Sequence, residues 1–271
     1  MKKIALILVF ALLVMTFAAC GNAKPTDDDL DINPEELLGN KNENPGEEKD
    51  DGKIKYDCVY EKYTYNLYVE ENYIEITAYD FGEEIVEEVP AVDDDEEEET
   101  IATIDIKIPA KIDGVPVKKI ATGAFAKNEV VASVEIPEGV TEIADEAFWF
   151  SKSLESVKLP STLTKLGKRV FAYCPALTAL AIPASITEIP AGLCTECTAL
   201  VDLTFGNKVT SIGDAAFAYC VSLETVNLGT ALTTVGAGAF KWCTSLTKAT
   251  LPATAKDVAE DAFANCTALG K

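Results

Sequence analysis

The chain of 271 residues is long enough for two domains, but its formal net charge of −22 is unevenly placed: residues 101–271 carry 17 acidic and 15 basic side chains, so the excess belongs to the N-terminal third. That excess argues against nucleic acid or anionic lipid as a partner of the N-terminal part. The chain contains no histidine, which excludes His-based triads and removes the commonest general base and transition-metal ligand.

The first predicted element, residues 1–19, is a signal peptide. Lys2 and Lys3 precede an apolar run from Ile4 to Phe17 and two alanines, a layout too short to span a bilayer comfortably. Phe17-Ala18-Ala19-Cys20-Gly21 resembles a bacterial lipobox, with Phe in place of the usual Leu or Val at its first position. The resemblance implies that the Cys20 thiol carries diacylglycerol and becomes the mature N-terminus, which gives an exported protein anchored to the cell membrane and facing outward. Cleavage after Ala19, with Cys20 coincidental, is the alternative.

Residues 20–52 come next as the lipidated Cys and an acidic tether, poor in apolar side chains and rich in Asp, Glu, Asn, Gly and Pro, a composition that cannot bury enough surface to order itself. Asp29, Asp31 and Asn33 look like the start of a calcium loop, but Pro34 stands where the turn glycine belongs and Asn40 where the bidentate Glu belongs. No metal or other cofactor is expected.

Residues 53–100 form a cap with an acidic loop. Tyr63, Tyr65, Leu67 and Val69 alternate with polar neighbours, then Glu70-Glu71-Asn72 links to the alternating Ile74, Ile76 and Ala78, which predicts a β-hairpin lid over the first coil of the C-terminal domain. The seven carboxylates from Asp93 to Glu99 predict a solvated, self-repelling insertion. Asp113-Gly114 predicts the tip of a short insertion at the start of the C-terminal domain.

Residues 101–271 are periodic. Phe125, Phe148, Phe171, Phe217, Phe240 and Phe263 lie on a step of 23, with Cys194 in the skipped register. Three residues later come Cys174, Cys197, Cys220, Cys243 and Cys266, and six later Leu154, Leu177, Leu200, Leu223, Leu246 and Leu269. The unit L-x-x-L-x-L ends at Pro137, Pro160, Pro183 or Pro252, or at Gly206 and Gly229. Such columns predict a repeat solenoid of parallel strands, whose stacked coils place identical positions in contact. A second short strand is predicted at Val140–Ile143 and its equivalents, beside a threonine column that begins at Thr141.

These columns, with the segments around Phe217 and Phe240, resemble the BspA-like leucine-rich repeat family of bacterial surface proteins over about residues 101–271. The resemblance implies a right-handed solenoid in which A-F-x-x-C forms a short helical turn. It also implies an interaction or adhesion role without catalysis.

Cys194 and Cys197 form a C-x-x-C, but both registers belong to the packed columns, so buried free thiols are expected rather than disulfides or a metal. No phosphate-binding glycine loop is present; Gly236 and Gly238 are turn positions of the repeat.

Two surfaces are candidates for binding. The outward strand positions, among them Glu135, Lys158, Asp202, Thr204, Asn227 and Lys248, are small or polar and fit a weak, extended contact. A column two residues after the Phe register holds Phe150, Tyr173, Tyr219 and Trp242, with Trp149 beside it. Its rings either pack along neighbouring turns or form a platform for an extracellular protein or glycan. Ala249 and Ala255 weaken the last coil, whose edge offers a route to self-association. The functions in competition are a lipid-anchored protein-interaction or adhesion module, an envelope structural or self-assembly component, and a glycan-binding module.

Overall fold

The computed structural model describes residues 61–68, 71–80 and 103–270 in full and the backbone of 55–60. Cys20, the tether and the loop Asp93–Glu99 lie outside these residues.

Three antiparallel strands begin the fold: β1 (Lys55–Tyr60), β2 (Tyr63–Tyr68) and β3 (Tyr73–Tyr79). The predicted hairpin is β2–β3, and β1 adds a strand outside it. The hairpin acts as a lid in two ways. β3 pairs in parallel with the first solenoid strand of its sheet, and Tyr63, Tyr65, Leu67, Ile74 and Ile76 bury against the first coil. The Tyr63 hydroxyl donates to the carbonyl of Lys107 across the coil (3.1 Å). Tyr79 stacks on Phe125 with centroids 5.6 Å apart, so the lid extends the phenylalanine column.

The solenoid opens with β4 (Ile104–Lys107), then a small hairpin of β5 (Lys111–Ile112) and β6 (Val115–Ile120). Asp113 and Gly114 at its tip have φ of 49° and 82°, the two left-handed residues of a type I′ turn, as the Asp-Gly pair predicts. Each later coil supplies one strand to each of two parallel ladders. The first comprises β7 (Val131–Glu135), β9 (Ser156–Lys158), β11 (Ala179–Ala181), β13 (Asp202–Thr204), β15 (Thr225–Asn227) and β17 (Lys248–Thr250). The second comprises β8 (Glu142–Ile143), β10 (Lys165–Leu166), β12 (Glu188–Ile189), β14 (Ser211–Ile212), β16 (Thr234–Val235) and β18 (Asp257–Val258).

The ladders are not continuous. The first divides into β4-β7-β9-β11-β13 and β15-β17, and the second breaks between β10 and β12. Pro190 explains the second break. In that register Gly167 donates to Ile143 and Gly213 to Ile189, each at 2.8 Å, and proline has no N–H to give.

Phenylalanine rings stack through the core at centroid spacings of 5.1 Å (Phe125–Phe148), 5.6 Å (Phe148–Phe171), 5.3 Å (Phe217–Phe240) and 5.1 Å (Phe240–Phe263). Where Cys194 replaces the ring, the preceding position changes with it. That position is alanine in five coils but Leu193 here, and both Leu193 and Cys194 are fully buried. The two columns exchange volume, which keeps the core filled.

Candidate interaction surface

The third side of each coil is the A-F-x-x-C segment, and it is a chain of turns rather than a short helix. In one coil Ala218 N–H donates to Ala215 (3.2 Å) and Cys220 N–H to Phe217 (3.3 Å), while Phe217 N–H and Tyr219 N–H reach the next coil at Ala239 (2.8 Å) and Lys241 (2.7 Å). Ala215 and Tyr219 have φ of 51° and 61°. A left-handed residue on each side of the phenylalanine stops helix propagation and turns alternate amides toward the neighbouring coil. The expected helical turn is corrected on that ground.

The same geometry builds the aromatic rim. Two residues after the Phe register stand Lys127, Phe150, Tyr173, Glu196, Tyr219, Trp242 and Asn265, with φ between 58° and 63°. This conformation costs a residue with a Cβ about 1–2 kcal/mol and is easiest for glycine or asparagine. Phe150, Tyr173, Tyr219 and Trp242 are nonetheless placed there and remain 37–40 % exposed. Trp149, one position earlier, is half-buried.

The rings form two groups. Phe150 lies 6.2 Å from Tyr173, with Trp149 5.6 Å from Phe150; Tyr219 and Trp242 stack at 6.2 Å and 12°. Glu196 separates them. Lys127 Nζ sits 5.3 Å over Trp149 and Lys152 Nζ 5.6 Å over Phe150, cation–π contacts supplied by the chain itself.

The strand-face residues point outward. Lys158, Asp202, Thr204, Asn227 and Lys248 are exposed, while Glu135 is half-buried between Lys107 (3.7 Å) and Lys158 (2.5 Å). The lysines hold the Glu135 carboxyl below its usual range. Lys152–Glu129 and Arg169–Glu146 make the same kind of pair one coil apart elsewhere.

The cysteine column has a polar function that the repeat pattern alone does not announce. Each thiol donates to the backbone carbonyl 26 residues earlier, at the Phe register: Cys174 to Phe148 (3.2 Å), Cys197 to Phe171 (3.0 Å), Cys220 to Cys194 (3.2 Å), Cys243 to Phe217 (3.2 Å) and Cys266 to Phe240 (3.0 Å). Ser151 makes the same bond to Phe125 (3.2 Å), and the Asn128 amide reaches that carbonyl at 2.7 Å. Both are buried. Extending the cysteine register back two coils would have found them. Burial pushes the thiols of Cys174, Cys194 and Cys220 well above their ordinary value; Cys266, half-buried beside the Cys243 thiol, is held lower by that neighbour. Among the described residues no cluster of His, Cys, Asp or Glu is arranged to hold a metal ion.

Comparison with known proteins matches the chain to the model of the BspA type leucine rich repeat region, in six copies over residues 118–247 and 170–271. No match was found among curated proteins. A leucine-rich repeat protein from Eubacterium ventriosum superposes with a TM-score of 0.62 at 23 % identity, over 80 % of this chain and 51 % of that one. The pneumococcal vaccine antigen PcpA gives 0.57 at 24 %, over 77 % and 51 %. A leucine-rich cell surface protein from Faecalibacterium prausnitzii gives 0.52 at 24 %, over 77 % and 57 %. The likeness is one of fold, and the chain spans about half the length of these structures.

Proposed function

Because the chain belongs to the BspA-type leucine-rich repeat family, whose members are surface proteins suited to protein interaction, we propose that it is a non-catalytic protein-interaction module, exported and anchored at the outer face of the cell membrane through a lipid on Cys20. The observation that carries the interaction reading is the aromatic rim. Four large rings occupy a backbone conformation that disfavours them and, besides stacking along the rim, stay more than a third exposed, which leaves aromatic surface for a partner.

The remaining chemistry favours binding over catalysis. The periodic thiols are donors to core carbonyls, Glu135 on the strand face pairs with Lys107 and Lys158, and the sequence has no histidine. Among the described residues no helix is long and apolar enough to cross a membrane; the proposed anchor is the lipobox-like Phe17-Ala18-Ala19-Cys20. Adhesion to a host or neighbouring cell is the form of interaction that the family favours, and assembly of the envelope is its alternative.

Proximity labelling with the full chain on intact cells tests the reading. Labelled extracellular or envelope proteins are expected, with loss of membrane retention in Cys20→Ala. Labelling confined to cytoplasmic proteins would overturn the localisation, and labelling of this chain alone would favour self-assembly.

A further inference from the structure

We propose that the recess left in the aromatic column where Glu196 stands between Tyr173 and Tyr219 receives the guanidinium or ammonium group of an arginine or lysine presented by a partner polypeptide. The inference rests on the interaction reading above and names the chemistry of the partner.

The three residues occupy successive registers of one column. Tyr173 N–H donates to Thr195 (2.7 Å) and Glu196 N–H to Ala218 (2.9 Å), which fixes them on adjacent coils. Rim rings one coil apart stand 6.2 Å from each other, and ladder spacing is about 4.8 Å. Two coils apart, Tyr173 and Tyr219 stand about 10–12 Å from each other, so a planar cation seated midway lies about 5–6 Å from each ring, within cation–π range.

The chain's own cations leave the recess open. Lys127 and Lys152 cover Trp149 and Phe150, but among the described residues no cation lies over Tyr173, Tyr219 or Trp242. Glu129, Glu135, Glu142 and Glu146 each have a lysine or arginine partner, whereas Glu196, like Glu155, Glu188, Glu224 and Glu260, is exposed with no such partner among the described residues; of these five only Glu196 stands in the rim column. The flanking positions are small and uncharged: Ala172, Thr195 and Ala218 on one side, Pro175, Thr198 and Val221 on the other. Two exposed tyrosine rings and a carboxylate without a counter-charge thus stand on three successive coils of one column, beside positions that the sequence keeps small.

A positive charge suits this site better than a neutral sugar. Covering Glu196 with a neutral group would strip water from the carboxylate without supplying a counter-charge, whereas a guanidinium satisfies it with charge-assisted hydrogen bonds while its plane faces the rings. A polypeptide suits it better than a free cation. The rim continues to Phe150 and Trp149 on one side and Trp242 on the other, giving an extended segment further contacts along the solenoid.

The test is an amide NMR titration of the full chain with the peptide Gly-Gly-Arg-Gly-Gly, and with Gly-Gly-Gln-Gly-Gly and cellobiose as neutral probes. Saturable shifts at Tyr173, Glu196 and Tyr219 are expected from the arginine peptide alone. Binding should weaken at least about fivefold in Glu196→Gln and in Tyr219→Asn, with circular dichroism and thermal midpoint unchanged. Asparagine is the substitute because Asn265 occupies the same left-handed register. Shifts of equal size from the glutamine peptide or cellobiose, undiminished binding by Glu196→Gln, or no saturable shift at the recess would each overturn the proposal. Attraction to the acidic N-terminal third would survive Glu196→Gln and so counts against it. The wider interaction reading is decided by proximity labelling, which scores a partner on any surface, so the two fail separately.

Discussion

The thiol of Cys220 donates to the carbonyl oxygen of Cys194 at 3.2 Å, the bond that Ser151 makes to Phe125 with a hydroxyl. The column therefore selects a small side chain with a donor. Cys220→Ser should stay within about 1 kcal/mol of wild type, whereas Cys220→Ala, which loses donor and volume, should lose about 1–3 kcal/mol. Urea denaturation of both variants checks the order, and a more stable alanine variant would show that packing alone sets the column.

The exchange of volume between Leu193 and Cys194 predicts strong coupling. Cys194→Phe alone should destabilise by about 1–3 kcal/mol through overpacking, and Leu193→Ala alone by about 2–5 kcal/mol through a cavity. The double variant restores the Ala-Phe pair found in five of the other coils and should cost far less than the sum. Additive losses in a double-mutant cycle would contradict the compensation.

Pro190→Ala supplies the amide missing between β10 and β12. Its N–H should bond to the Leu166 carbonyl and exchange slowly, as the amides of Gly167 and Gly213 should in the same register. An amide at position 190 that exchanges at the rate of an exposed loop would show that the break has another cause.

Burial, with nearby Tyr79 and Glu61, raises the Tyr63 hydroxyl from 10.0 to about 12. The unfolded chain releases this proton near pH 10 while the folded chain keeps it, so the stabilisation is complete below pH 10 and is lost as pH climbs toward 12. Alkaline titration followed by circular dichroism should show that loss, and Tyr63→Phe should remove part of the slope. An identical alkaline limb in the variant would mean that Tyr63 does not titrate with the lid.

Thiol labelling of the native protein should modify Cys266 before the other repeat cysteines, because it is the one member of the column that is only half-buried, while the others are fully covered. Peptide mapping after brief exposure to a maleimide checks this. Early modification of Cys197 or Cys220 would imply an opening of the coils that the packing does not allow.

The period made the scaffold legible. A large residue repeated at constant spacing has to stack, so the Phe column, the paired strands and the buried thiols follow from the register alone. The lid hairpin followed from alternation at Tyr63–Leu67 and Ile74–Ile76. The left-handed turns were harder, because an αL position announces itself through glycine or asparagine. Here Gly123, Gly192 and Gly238 mark one such column, while the rim column carries bulky rings and only Asn265 as a sign. The donor function of the cysteines was hidden for a related reason: a thiol in a core looks like an apolar side chain until Ser151 and Asn128 are seen in the same register. The rim was legible as a column, but its ring exposure and its interruption at Glu196 became meaningful only with the coils stacked.

If partners meet the rim, a photoreactive group placed there should capture them. Photocrosslinking on intact cells from p-benzoylphenylalanine at Tyr219, compared with the same group at Thr204 on the strand face, puts the two surfaces in direct competition. Adducts to a second protein are expected from position 219, with few or none from position 204. Adducts from 204 with none from 219 would place the interaction on the strand face and contradict the role of the rim.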